Sequence, residues 1–295
     1  MILLHPVVGG CVRIKTMSKT ETQRRVLPTS AVYRPGEDGL LVPERDGASE
    51  GRIAESSPTV AAVHAALRAF VSHADYPCVG AKSAINTDGY RVGVYPRLGS
   101  NPAARLCAQD LQWFSQEADA INDRYATYLA VFDGPGVADE EAFERMLWAQ
   151  LEQMHRLDAE TFGWDPSVSD DPASPEFSYS IGGKAFFVVG MHPGASRRAR
   201  RFPFPVLVFN LHQQFERLRE DGLFDRMKET IRERDEELQG EKFEALADHG
   251  TSSEARQYAG REVGASWRAP FHRVGRCPMR AFGAARVGGA QANEG

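Results

Sequence analysis

Cysteine is scarce in this chain: Cys11, Cys78, Cys107 and Cys277 are the only four in 295 residues, and no two form a CxxC pair. That pattern argues against a disulfide framework and against a structural zinc site. Long apolar runs are missing too. None approaches the roughly 18 residues expected of a membrane span, and the short apolar opening, Met1 to Pro6, lacks the hydrophobic region and cleavage site of a secretion signal. A large excess of either charge is also absent: 35 Lys and Arg stand against 40 Asp and Glu, for a net charge of −5. Bulk charge therefore does not point to nucleic acid. No GxxxxGK[ST] loop occurs, and Gly182-Gly183-Lys184 precedes a strand where a phosphate loop would follow one. The expectation is a cytoplasmic protein with neither membrane nor nucleic-acid partners.

What is present is ordinary globular composition, 42% hydrophobic and 25% charged. Residues 1–57 show little periodicity and read as an irregular lead-in. Met17-Ser18-Lys19 resembles a translation start, so residues 1–16 read as a mis-annotated extension. From Thr59 to His73 an apolar stripe at helical spacing follows, ended by Tyr76-Pro77-Cys78. Tyr90 to Tyr95 alternates as a strand, Ala103 to Asp123 is a helix, and Thr127 to Phe132 is a buried strand. The spacing of Phe143, Met146, Leu147, Leu151, Met154 and Leu157 predicts an amphipathic helix from Asp139. A proline-marked loop over 164–176 precedes strands at 185–190 and 206–209, and one long charged helix is expected from His212 to Leu238. The fold class is mixed α/β (α+β): a single domain over 58–280, a central sheet flanked by helices, with a disordered tail at 281–295.

The stretch from Phe186 to Arg219 is the most informative. Two apolar strands deliver Met191-His192-Pro193 at the end of the first and Asn210, His212 and Gln213 after the second, with Arg197, Arg198, Arg200 and Arg201 between them. Sites are often assembled where strands end and loops begin. His192 reads either as a loop histidine at the surface or as a ligand held rigid beside Pro193. His212 reads as a ligand or as a helix cap. The arginines form either a solvated face or an anion site for phosphate, carboxylate or haem propionate.

These residues resemble the YqcI/YcgG family, which carries FPC and CPF motifs near its two ends. Tyr76-Pro77-Cys78 stands where the family has FPC. The runs Gly190 to Phe202 and Val208 to Phe215 look like its central block. Arg256-Gln257-Tyr258-Ala259-Gly260-Arg261 with Trp267 leads to the second motif, and the likeness spans roughly 55–275. Two departures stand out. Tyr76 replaces Phe, and the second motif reads Ala269-Pro270-Phe271, with Cys277-Pro278 displaced eight residues along. The motif thiol that remains is Cys78.

The resemblance implies a haem-dependent monooxygenase that uses O2 to N-hydroxylate the guanidino group of L-arginine, supplying hydroxyurea for D-cycloserine-type antibiotic biosynthesis. It implies haem b as cofactor, O2 as co-substrate and an external electron-donating reductase as partner. Imidazole is a common haem ligand, so His192 stands first as iron ligand, His212 second and Cys78 third. Arg197, Arg198, Arg200 and Arg201 would meet the propionates or the substrate carboxylate. Glu176 and Glu216 could each face the substrate guanidinium or be plain surface acids. Replacement of His192 by Ala would then bleach or shift the haem absorption. Three other readings stand beside this one. They are a non-catalytic haem carrier or redox sensor, a phosphate- or nucleotide-binding protein, and a non-haem iron oxygenase using His155 and Asp158, three apart on one helix.

Overall fold

A computed structural model describes residues 32–37, 40–44, 60–133, 137, 139–240 and 252–274. Among the described residues, seven strands form one mixed sheet: β1 (Val32–Pro35), β2 (Leu41–Pro43), β3 (Tyr90–Tyr95), β4 (Thr127–Phe132), β5 (Tyr179–Ile181), β6 (Lys184–Met191) and β7 (Val206–Leu211), in the order β2-β1-β3-β4-β7-β6-β5. Only β3 and β4 run parallel. Their crossover is α3 (Asn101–Ile121), the helical connection that a parallel pair requires. Ser100 starts that helix, its Oγ accepting from the Ala103 amide at 3.4 Å. Central β4, Thr-Tyr-Leu-Ala-Val-Phe, is buried along its whole length, as a strand covered on both faces must be.

The two faces carry different helices. Tyr95, Tyr128, Ala130, Phe132, Phe186, Val188, Leu207 and Phe209 pack with α3 and with α4 (Glu140–Asp158) in the larger apolar cluster. Val92, Leu129, Val131, Met191 and Val206 belong to a second cluster with α1 (Val60–Ser72) and α2 (Val79–Asn86). On this second side, α5 (His212–Glu220) follows β7 directly, and α6 (Phe224–Gln239) packs against both α2 and the 3-10 turn Arg198–Arg200. A one-turn helix, α7 (Ala255–Tyr258), lies against β6.

The expected central sheet with flanking helices is the observed architecture, and four of its expected strands fall where the alternation placed them. Besides the unexpected β5 and α7, three details differ. The single helix expected over His212 to Leu238 is two, because Gly222 adopts φ +68 and ends the first in a left-handed turn. The stretch read as irregular contains the β1–β2 hairpin. Cys78 opens a helix instead of merely ending one: its Sγ accepts from the Ala81 amide at 3.4 Å and caps α2. Residues 1–16, the tail at 281–295 and Cys277 lie outside the described residues.

Candidate functional site

A cavity of about 260 Å3 lies between the second face of the sheet and the helices that cover it. Leu129, Val189, Met191 and Val208 form its sheet wall, Leu67, Val71 and Ile85 face them from α1 and α2, and Leu218, Met227 and Ile231 come from α5 and α6. Into this apolar space open Tyr76, Cys78, Arg197 and Arg200. A smaller chamber of about 210 Å3 adjoins it, and the two share Phe187, Phe215, Met227, Ile231 and Gln257 as lining. The second chamber adds His212, Arg219, Lys228, Arg232, Ser252 and Glu254.

The arginine cluster divides in two. Residues i and i+3 of a 3-10 turn lie on one side. Arg197 and Arg200 accordingly turn inward and are buried, whereas Arg198 and Arg201 are exposed. The outer pair bonds to backbone. Arg198 donates to the Leu238 carbonyl at 3.1 Å, and Arg201 to the carbonyls of Ala195 and Ser196 at 2.8 and 3.1 Å. The inner pair is different. Arg197 donates through Nε and Nη2 to Asp235 Oδ2, at 3.1 and 2.9 Å, in a buried ion pair with α6. Arg200 donates to the Gly190 carbonyl at 3.1 Å and has no carboxylate partner among the described residues. Burial, and then the neighbouring Arg197 charge, push its guanidinium down to about 9, so it still carries its proton at neutral pH. Two buried cations thus share one carboxylate beside an apolar cavity.

Cys78 is held at the N-terminus of α2. Burial raises its thiol above the ordinary range, opposed by the Ala81 amide and by the Arg200 and Arg197 charges. Burial likewise lifts the Tyr76 hydroxyl well above its usual value. The ring of Tyr76 packs 5.0 Å from that of Phe70, on α1.

The two histidines lie elsewhere. His192 is completely buried, but alternation along β6 sends Phe187, Val189 and Met191 to the cavity and Phe186, Val188, Gly190 and His192 to the opposite face. There its ring stacks 4.3 Å from that of Phe143 on α4. Neither ring nitrogen has a hydrogen-bond partner among the described residues, and burial lowers its pKa. It lines neither chamber. His212 does line the second chamber, with Nε2 3.1 Å from Glu216 Oε1, and burial lowers its pKa as well.

Glu176 and Glu216 are exposed and line neither chamber. His155 and Asp158 serve the fold. His155 Nε2 accepts from the Val274 amide at 3.1 Å, and Asp158 Oδ1 accepts from Gln112 Nε2 at 2.8 Å and the Gly182 amide at 2.9 Å. Among the described residues no three His, Cys, Asp or Glu side chains are grouped to hold a metal ion, as a bare-iron centre of that kind would require. Phe271 of the second motif packs near Trp148 and Trp164 on the α4 face, so Ala269 stands in for the family's cysteine away from Cys78 and from both chambers.

Glu254, which sequence reasoning missed, is the acidic residue of the second chamber. Its Oε1 accepts from Tyr258 Oη at 2.5 Å and from Ser178 Oγ at 2.8 Å. Burial raises its carboxyl to about 7, against the lowering effect of those two hydrogen bonds and of Arg219.

None of the described helices is long and apolar enough to cross a membrane. Neither the curated proteins nor the solved structures give a match. A family model does match, over residues 67–272, a span that includes Cys78, both inner arginines and every lining residue named for the two chambers. The chain belongs to the YqcI/YcgG family.

Proposed function

We propose that the larger chamber holds haem b and that the protein is an O2-dependent monooxygenase N-hydroxylating the guanidino group of L-arginine. The observation that carries the cofactor reading is Arg200, a buried guanidinium with no carboxylate partner among the described residues, set at the wall of an apolar cavity. Two buried cations that share a single carboxylate are costly to maintain, and an anionic ligand relieves that cost. The residues present fit haem. Valine, leucine and isoleucine side chains suit a flat apolar ring, Arg197 and Arg200 suit its propionates, and Cys78 offers a thiol in the same wall.

Of the three side chains considered as iron ligand, Cys78 is the one in the wall of the larger chamber. The α2 amide that Cys78 Sγ already accepts from, and the two nearby guanidinium groups, would stabilise its thiolate. Bound haem would supply the oxygen-activating redox chemistry that no side chain can provide. The protein's own share is to exclude water with the covering helices and to orient the substrate nitrogen. An external reductase would deliver the electrons. The arginine substrate itself rests on the family resemblance.

The test is direct. Reduced, haem-loaded protein incubated with L-arginine, O2 and a reductase system should yield N-omega-hydroxy-L-arginine, detected by mass spectrometry as a gain of one oxygen atom. Bound haem with no such product would reduce the reading to a haem carrier.

A further inference from the structure

The central block and the first motif are absorbed by the larger chamber, but the Arg256-to-Arg261 segment is not. Its Gln257 lines both chambers, and its Tyr258 fixes Glu254 in the wall of the second. Tyr258 is completely buried, and its hydroxyl also lies 3.3 Å from the Phe186 carbonyl and 3.0 Å from the Tyr179 amide, so it is anchored to two strands. Ser178, immediately before β5, adds the second bond to Glu254. Both hydrogen bonds fall on Oε1. No hydrogen bond to Oε2 is formed by any described residue, which leaves one oxygen of a rigidly held carboxyl for a ligand in the chamber.

Resting on the reading above, we infer that Glu254 is the substrate-recognition carboxylate, receiving a cationic nitrogen group of the amino-acid substrate, its guanidinium or its α-ammonium. A carboxylate suits either group through charge-assisted hydrogen bonds, and a guanidinium offers a fork of donors. The other titratable groups lining the chamber are basic: His212 and Arg219 on α5, and Lys228 and Arg232 on α6. Arg219 is bonded to Glu216, and Lys228 lies 3.1 Å from Asp225. These basic groups suit the carboxylate of an amino acid, the end that Glu254 would not hold.

The sign of the pH dependence follows from the raised carboxyl. Below about 7 Glu254 is neutral, and above it the carboxylate forms. Affinity for a cation should therefore rise with pH through that point.

The experiment is calorimetric titration of the full-length haem-loaded protein with L-arginine and with L-citrulline, whose urea group is neutral, between pH 5.5 and 8.5. Wild-type protein should bind arginine on the order of tenfold more tightly at pH 8 than at pH 5.5. Glu254→Gln should lose most of that gain and flatten the profile, and Glu254→Asp, which keeps the charge, should recover part of it. If the Gln variant weakens arginine but not citrulline, Glu254 holds the guanidinium; if it weakens both, Glu254 holds the α-ammonium. Arginine binding by Glu254→Gln equal to wild type, or a wild-type profile flat with pH, overturns the assignment of Glu254 and leaves the haem reading intact. Haem-loaded wild-type protein that binds no arginine at any pH removes both the Glu254 assignment and the arginine substrate, and leaves a haem carrier.

Discussion

Replacing Asp235 with Ala is expected to cost the fold about 3–5 kcal/mol. Asp235 is buried on α6, and its Oδ2 takes both hydrogen bonds from Arg197. Without it, two buried guanidinium groups would face the cavity with no counter-charge between them, and the Arg197 charge already disfavours that of Arg200. The loss should be read by urea denaturation at pH 7. Replacing both partners at once, Arg197→Met with Asp235→Leu, should cost far less than the single change, because a buried pair exchanged for apolar side chains leaves no orphaned charge. A cost below about 1 kcal/mol for the single variant would mean that the Arg197 charge is neutralised by something other than Asp235.

Arg200→Met should move stability and ligand binding in opposite directions. The free protein loses one bond to the Gly190 carbonyl but sheds a buried charge without a carboxylate partner, so it should be unchanged or gain about 1–2 kcal/mol. Hemin affinity should fall about 10- to 100-fold, the equivalent of one hydrogen bond to a charged group, about 1.5–3 kcal/mol. A residue kept only for folding would behave the other way, destabilising the protein and leaving ligand affinity alone. Denaturation and hemin titration of the same variant therefore separate a binding role from a structural one.

Much of this arrangement is legible in the sequence, and the misplacements have physical reasons. The buried strands were clear because β4, β6 and β7 alternate or run apolar over six to eight residues. The side on which His192 falls follows from the same alternation carried one residue past Met191, where parity outweighs the proximity of a loop and a proline. The four arginines look alike in sequence. Only the 3-10 turn, with its period of three, sorts Arg197 and Arg200 from Arg198 and Arg201. The break between α5 and α6 was signalled by Asp221-Gly222, a turn dipeptide that the helical charge pattern masked. Glu254 carried no comparable signal. Tyr258 one turn along hints at a pair, but Ser178 is 76 residues away, and only the fold brings it to the carboxyl.

The haem reading is tested most directly by absorption spectroscopy of protein from cells supplied with iron and porphyrin precursor, or of protein reconstituted with hemin. The wild type should show a Soret band. Cys78→Ala should shift or lose that band, whereas His192→Leu, altered on the opposite face of the sheet, should leave it in place. Protein that is colourless as isolated and takes up no hemin contradicts the account outright. A band untouched by the cysteine change but abolished by the histidine change would mean that the iron is not seated in this cavity.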